Sequence, residues 1–121
     1  MRPALEVHGA LSRGTFAVVV LVSLAILFAP ASDVPPAPPG VDKIVHALLF
    51  AALALSGRWA GIGRGVLAGL LVVYAAVSEV LQGLTLLDRS ASVTDWLADV
   101  VGLLLGLALW EVVARRRGLP R

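Results

Sequence analysis

The sequence predicts an all-α fold: an integral membrane bundle of four transmembrane helices with both termini cytoplasmic. Three observations predict it. The chain has 121 residues, of which 59% are hydrophobic and 15% charged, against about 45–50% and about 25% in an ordinary soluble domain. Four apolar stretches follow one another with short links, each near the ~20 residues that cross a ~30 Å hydrocarbon core. The basic residues gather in alternate links, as cytoplasmic loops do. A mean hydropathy of +0.92 in so short a chain leaves too little polar surface to cover one aqueous core. The lack of cysteine excludes a disulfide framework and thiol chemistry. No basic stripe with interleaved aromatics appears, so nucleic acid is not an expected partner.

Residues 1–14 read as a cytoplasmic segment, 15–113 as one membrane domain and 114–121 as a basic cytoplasmic tail. The first span, 15–31, is TFAVVVLVSLAILFAPA. Its Ala29-Pro30-Ala31 has the form of a signal-peptidase site. Pro30 and the prolines after it weaken that reading, and a retained helix is expected. Residues 30–40, PASDVPPAPPG, form an extended link, because proline cannot continue a helix. The second span covers about 43–60 and the third 65–86, with the glycine-rich turn GRWAGIGRG between them. The fourth covers 93–113. Lipid offers backbone groups no partners, so each span is helical.

Eight of the ten lysines and arginines fall at the N-terminus, in the 57–65 turn and at the C-terminus. Lys43 and Arg89 fall on the other side, with six of the eight acids. Span two therefore begins outside with Asp42, Lys43 and His46. Span three ends there with Glu79 and Gln82, and span four begins there with Asp95 and Asp99. Gly65, Gly69, Val72 and Ala76 lead to Glu79 in helical steps, and Gly102 and Gly106 follow Asp99 likewise. Small residues at that interval let membrane helices approach closely, so the polar groups are expected to face the bundle interior.

Local roles compete with functional ones. Asp42, after Gly40, is placed to cap span two. Ser92 and Asp95 fit a capping box. Lys43 can snorkel to the interface, and Arg115–Arg117 read as a topology anchor. Glu79 and Asp99 resist such readings. At 1.5 Å per residue Glu79 lies roughly 12 Å from an end of span three near Leu87, and Asp99 roughly 10 Å from Ser92. A charge at the centre of a membrane helix costs about 2.5–3.5 kcal/mol, which marks such residues as functional or ion-paired.

Asp42-Lys43-x-x-His46-x-x-x-Phe50, then Glu79-x-x-Gln82, then Arg89 with Asp95 six residues on, then Asp99-x-x-Gly102, resembles the VanZ-like family of small integral membrane proteins. The resemblance runs from about residue 41 to 106. One departure is Asp99, where many family members carry asparagine. The family's founding member is tied to teicoplanin resistance, so the resemblance implies a cell-envelope or glycopeptide-resistance role. It marks Asp42, Lys43, His46, Glu79, Gln82, Arg89 and Asp95 as a shared polar cluster and assigns them no reaction.

The leading functional reading is an outward-facing polar pocket that binds an envelope lipid, glycolipid or glycopeptide-related ligand. Lys43 and Arg89 would hold phosphate or carboxylate, and Glu79, Asp95 and Asp99 would hold amine or hydroxyl. An enzyme is the alternative, with His46, Glu79 and Asp95 as candidate acid–base groups. A purely structural network is the third reading. No cofactor or metal is expected. His46 is the one histidine in the cluster, which argues against a tight zinc site, and a carboxylate-rich Mg²⁺ or Ca²⁺ site is the metal alternative. The bilayer is the first partner, a homo-oligomer is a candidate assembly, and the expected location is a bacterial inner or plasma membrane.

Overall fold

The computed structural model describes residues 7–29, 38, 40–83 and 93–119. Among them are four α-helices and no strand: α1 (Ala10–Leu27), α2 (Val41–Trp59), α3 (Arg64–Gln82) and α4 (Val93–Arg117). Three of these, α1, α3 and α4, are long and apolar enough to cross a membrane. Their outward faces carry exposed residues such as Leu21, Val73, Val77, Leu104 and Leu105. Continuous apolar surface of that kind is rare on a protein bathed in water and normal on one bathed in lipid.

The helix ends follow local chemistry. α1 starts at Ala10, five residues before the expected span, and Ser12 Oγ donates to the Gly9 carbonyl at 3.0 Å. It ends at Leu27, just short of Ala29, whose helical conformation Pro30 disfavours. The A-x-A triplet and the proline-rich link lie almost wholly outside the described residues. α2 begins after Gly40, whose φ of 89° is open to glycine and strained for most other residues. Asp42 is therefore not the cap of α2. It sits inside the first turn, where a carboxylate still favours the helix dipole. α4 continues past residue 113 through Arg115–Arg117, so most of the expected tail is helix. Three arginines in a last turn offset the exposed carbonyls. Gly118, at φ 65°, ends the helix, and the Leu119 N–H returns to the Ala114 carbonyl at 2.9 Å.

α2 is the helix that the others enclose, packing on α1, α3 and α4. It carries Asp42, Lys43 and Arg58 near its ends and buries His46 and Ser56. That polarity sets it apart from the other three and suits a position shielded by them. Its main partner is α4, which runs parallel to it. A methyl group added at Gly102 would overlap the backbone of Ala47, and one at Gly106 would crowd Ala51 and Ala54. The small-residue motif of α4 thus meets Ala47 and Ala51 of α2, and the two backbones nearly touch.

The α3 face corrects the sequence reading. Leu67, Leu71 and Ala75 are buried and lead in steps of four to Glu79. Gly65 and Gly69 face open space, and Ala76 is exposed. Both stripes end at Glu79, so spacing alone could not separate them. The leucine stripe buries more apolar area, and area decides. Tyr74 joins α3 to its neighbours: its hydroxyl is 2.8 Å from Ser23 Oγ of α1, and its ring lies 5.7 Å from that of Phe50.

The charges separate by end. At one end, Glu111 of α4 lies 3.3 Å from Arg64 Nη1 and 4.0 Å from Arg58 Nη2. Arg58 is buried and donates to the Ile62 carbonyl at 2.8 Å. The acidic groups of α2, α3 and α4 occupy the other end.

The α2–α4 contact yields a test. Gly102→Ala is expected to destabilise the protein by about 1–3 kcal/mol, the usual penalty of overpacking, seen as a lower Tm in detergent. Gly69→Ala is expected to leave Tm unchanged or slightly raised, because its methyl meets nothing.

Candidate functional site

Three helix ends build a polar cluster. The N-termini of α2 and α4 lie side by side because the helices are parallel, and the C-terminal turn of α3 closes against them. Helix N-termini favour carboxylates, which suits Asp42 and Asp95, each in a first turn, to their positions.

The outer layer is an ion pair. Lys43 Nζ donates to Asp95 Oδ1 at 2.8 Å and lies 3.4 Å from Asp42 Oδ2. Lys43 is 42% exposed and Asp95 14%, so this pair borders the surroundings. Exposed pairs of this kind contribute little, about 0–1 kcal/mol. Asp95 therefore bonds across to α2.

The inner layer lies one turn deeper. His46 Nδ1 is 2.6 Å from Asp99 Oδ1, and both residues are buried. A contact that short needs a proton between the two atoms, carried by the imidazole or by the carboxyl group. Glu79 of α3 completes the layer. One ring nitrogen of His46 and one oxygen from each of Glu79 and Asp99 lie within 4.8 Å of one another. Asp99 is wholly buried, and its Oδ2 has no hydrogen-bond partner among the described residues. A buried carboxylate oxygen normally finds a partner.

Glu79 needs a correction. Span three was read to residue 86, placing Glu79 about two turns from its end. Described α3 ends at Gln82, and the Gly83 N–H reaches back to the Glu79 carbonyl at 3.2 Å. Glu79 therefore stands in the last described turn. It is buried by its neighbours in the bundle, α2 and α4, and not by depth along a long helix. Glycine at 83 weakens helix continuation.

Gln82 takes a different position from the rest. Its amide Nε2 donates to the Leu27 carbonyl at 2.6 Å, at the end of α1. The last carbonyls of a helix have no partner within it, and Gln82 supplies one. Arg89 and Ser92 lie outside the described residues. The sequence reading missed Ala47 and Ala51, whose small side chains set the depth of His46 against Asp99. Their four-residue spacing, matched to Gly102 and Gly106, was the available signal.

The described cavity lies elsewhere. It holds about 360 Å³ and is lined by Thr15, Val19, Ala52, Leu55, Ser56, Trp59, Trp110, Val113 and Leu119. Those residues come from α1, the C-terminal halves of α2 and α4 and the turn after α4, and almost none of the lining is polar.

A family model described as VanZ/LLP1 matches residues 6–114, nearly the whole chain. The chain belongs to the VanZ/LLP1 family. No curated protein and no solved structure matches it. The VanZ/LLP1 match and the three long apolar helices together make it a VanZ-like membrane protein. Asp42, Lys43, His46, Glu79, Asp95 and Asp99 form the two layers described here.

The layers are expected to respond differently to mutation. His46→Leu leaves Asp99 buried without its partner and is expected to cost about 3–5 kcal/mol, while His46→Leu with Asp99→Leu recovers most of it. Lys43→Met is expected to cost far less than His46→Leu, because its ion pair borders the surroundings. Unfolding in mixed micelles, arranged as a double-mutant cycle, measures all three; additive effects at His46 and Asp99 would refute their coupling.

Proposed function

We propose that this VanZ/LLP1 protein is a four-span protein of the bacterial inner or plasma membrane, and that its outward-facing polar cluster binds the headgroup of an envelope lipid or glycolipid. The observation that carries the reading is the two-layered cluster. An ion pair with one exposed partner, Lys43–Asp95, stands over a buried His46–Glu79–Asp99 group within a lipid-facing bundle. Intramembrane ionisable groups are expensive, and a bound polar ligand is the usual reason to keep them. Lys43 and Arg89 suit the phosphate or carboxylate of such a headgroup. Glu79, Asp95 and Asp99 suit its hydroxyls or amine.

Sidedness rests on charge. Arg13, Arg58, Arg64 and Arg115–Arg117 occupy one end, and the positive-inside rule puts that end in the cytoplasm. α2 is taken as a span because the other three helices shield its polar positions. The resemblance to a family whose founding member is tied to teicoplanin resistance supports an envelope or glycopeptide-resistance role.

A second reading has its own support. The His46–Asp99 hydrogen bond is the arrangement an acid–base catalyst uses to orient its imidazole. Under it the same site turns over an envelope lipid, with Glu79 as the second titratable group.

Native mass spectrometry of the protein released from its membrane, with Asp95→Asn as control, tests the binding reading. A co-purifying polar lipid that Asp95→Asn weakens at least tenfold supports it, and equal lipid retention by both proteins sinks it. Conversion of the lipid in place of retention favours the enzyme. For topology, a reporter active only outside the cytoplasm is expected to signal from the 85–92 link and to be silent after residue 119. The reverse pattern would overturn the orientation.

A further inference from the structure

We propose that His46, Glu79 and Asp99 hold a divalent transition-metal ion, Zn²⁺ or Mn²⁺, where α2, α3 and α4 converge. Three separate helices each contribute one donor, and the donor atoms fall within 4.8 Å of one another. Metal–ligand bonds of about 2.1 Å place tetrahedral ligand atoms roughly 3.4 Å apart. The donor atoms would have to adjust by about an ångström to reach that spacing.

Asp99 supplies the second, independent observation. It is wholly buried, and its Oδ2 has no hydrogen-bond partner among the described residues. A bound cation would give that oxygen its partner. The mixed nitrogen–oxygen donor set favours Zn²⁺ or Mn²⁺ over Mg²⁺ and Ca²⁺, which take oxygen ligands.

Three protein ligands leave a coordination position open. In the binding reading above, on which this part of the inference rests, a phosphate or hydroxyl oxygen of the headgroup fills it. The ion would then be the inner anchor of the headgroup and Lys43 the outer one.

The full chain, purified in detergent and stripped with chelator, is titrated with Zn²⁺, Mn²⁺ and Mg²⁺ by calorimetry. About one Zn²⁺ or Mn²⁺ per chain is expected, with Mg²⁺ at least tenfold weaker. Glu79→Gln and Asp99→Asn are each expected to weaken binding at least tenfold, and Glu111→Gln, a carboxylate change at the opposite end of α4, to leave it unchanged. Circular dichroism and size-exclusion profiles confirm that each variant is folded. Co²⁺ added to the unmutated protein is expected to give visible absorption of a low-coordinate nitrogen–oxygen site, a readout independent of any variant. No transition-metal binding, or equal binding by folded Glu79→Gln and Asp99→Asn, overturns the assignment. Lipid retained by metal-free protein would overturn the ion's anchoring role and leave headgroup binding standing. Zn²⁺ binding by protein that retains no polar lipid would leave the metal site standing and overturn headgroup binding.

Discussion

Gly102 and Gly106 allow α2 and α4 to touch backbone to backbone, and the rest of the structure is arranged around that contact. Two parallel helices at such close range share a register along their length. Ala47 faces Gly102, Ala51 faces Gly106, and one turn earlier His46 faces Asp99. The polar contact is the continuation of the apolar one. A larger residue at either glycine would part the helices and lengthen a 2.6 Å hydrogen bond. Packing specifies the site because small side chains at the crossing leave the histidine and the aspartate one possible separation.

Parallel alignment also explains the charge pattern. Two helices running the same way present both N-termini at one end and both C-termini at the other, and their dipoles add. Asp42 and Asp95 meet the positive ends, while Arg58 and Arg115–Arg117 meet the negative ones. Glu111 is an acid at the basic end, where Arg58 and Arg64 enclose it. The segregation of charge that a membrane protein uses for orientation is here also the arrangement that the helix dipoles favour.

Much of this was legible in the sequence. Hydropathy gave the helices, because burial in lipid demands apolar length. The spacing of Asp99, Gly102 and Gly106 gave the inner face of α4. Charge asymmetry brought Lys43, His46, Glu79, Asp95 and Asp99 to one end. Three things were not legible, each for a physical reason. Glu79 lies on two helical stripes at once, so the buried face of α3 was misread until leucine packing decided between them. Asp42 looked like a cap, yet a positive φ at Gly40 starts the helix without a side chain. Gln82 belonged to the right end and the right face, but its partner is a backbone carbonyl of α1, and carbonyls leave no mark in a sequence.

The placement of α2 has a consequence in time. His46 and its partner Asp99 are 53 residues apart, and the helix that completes the contact is made well after α2. A growing chain reaches the membrane with the polar face of α2 formed and the glycine face of α4 still unsynthesised. Until α4 arrives, His46 lacks Asp99 and the close backbone cover of Gly102 and Gly106. The polar face of α2 is complete only when α4 closes over it.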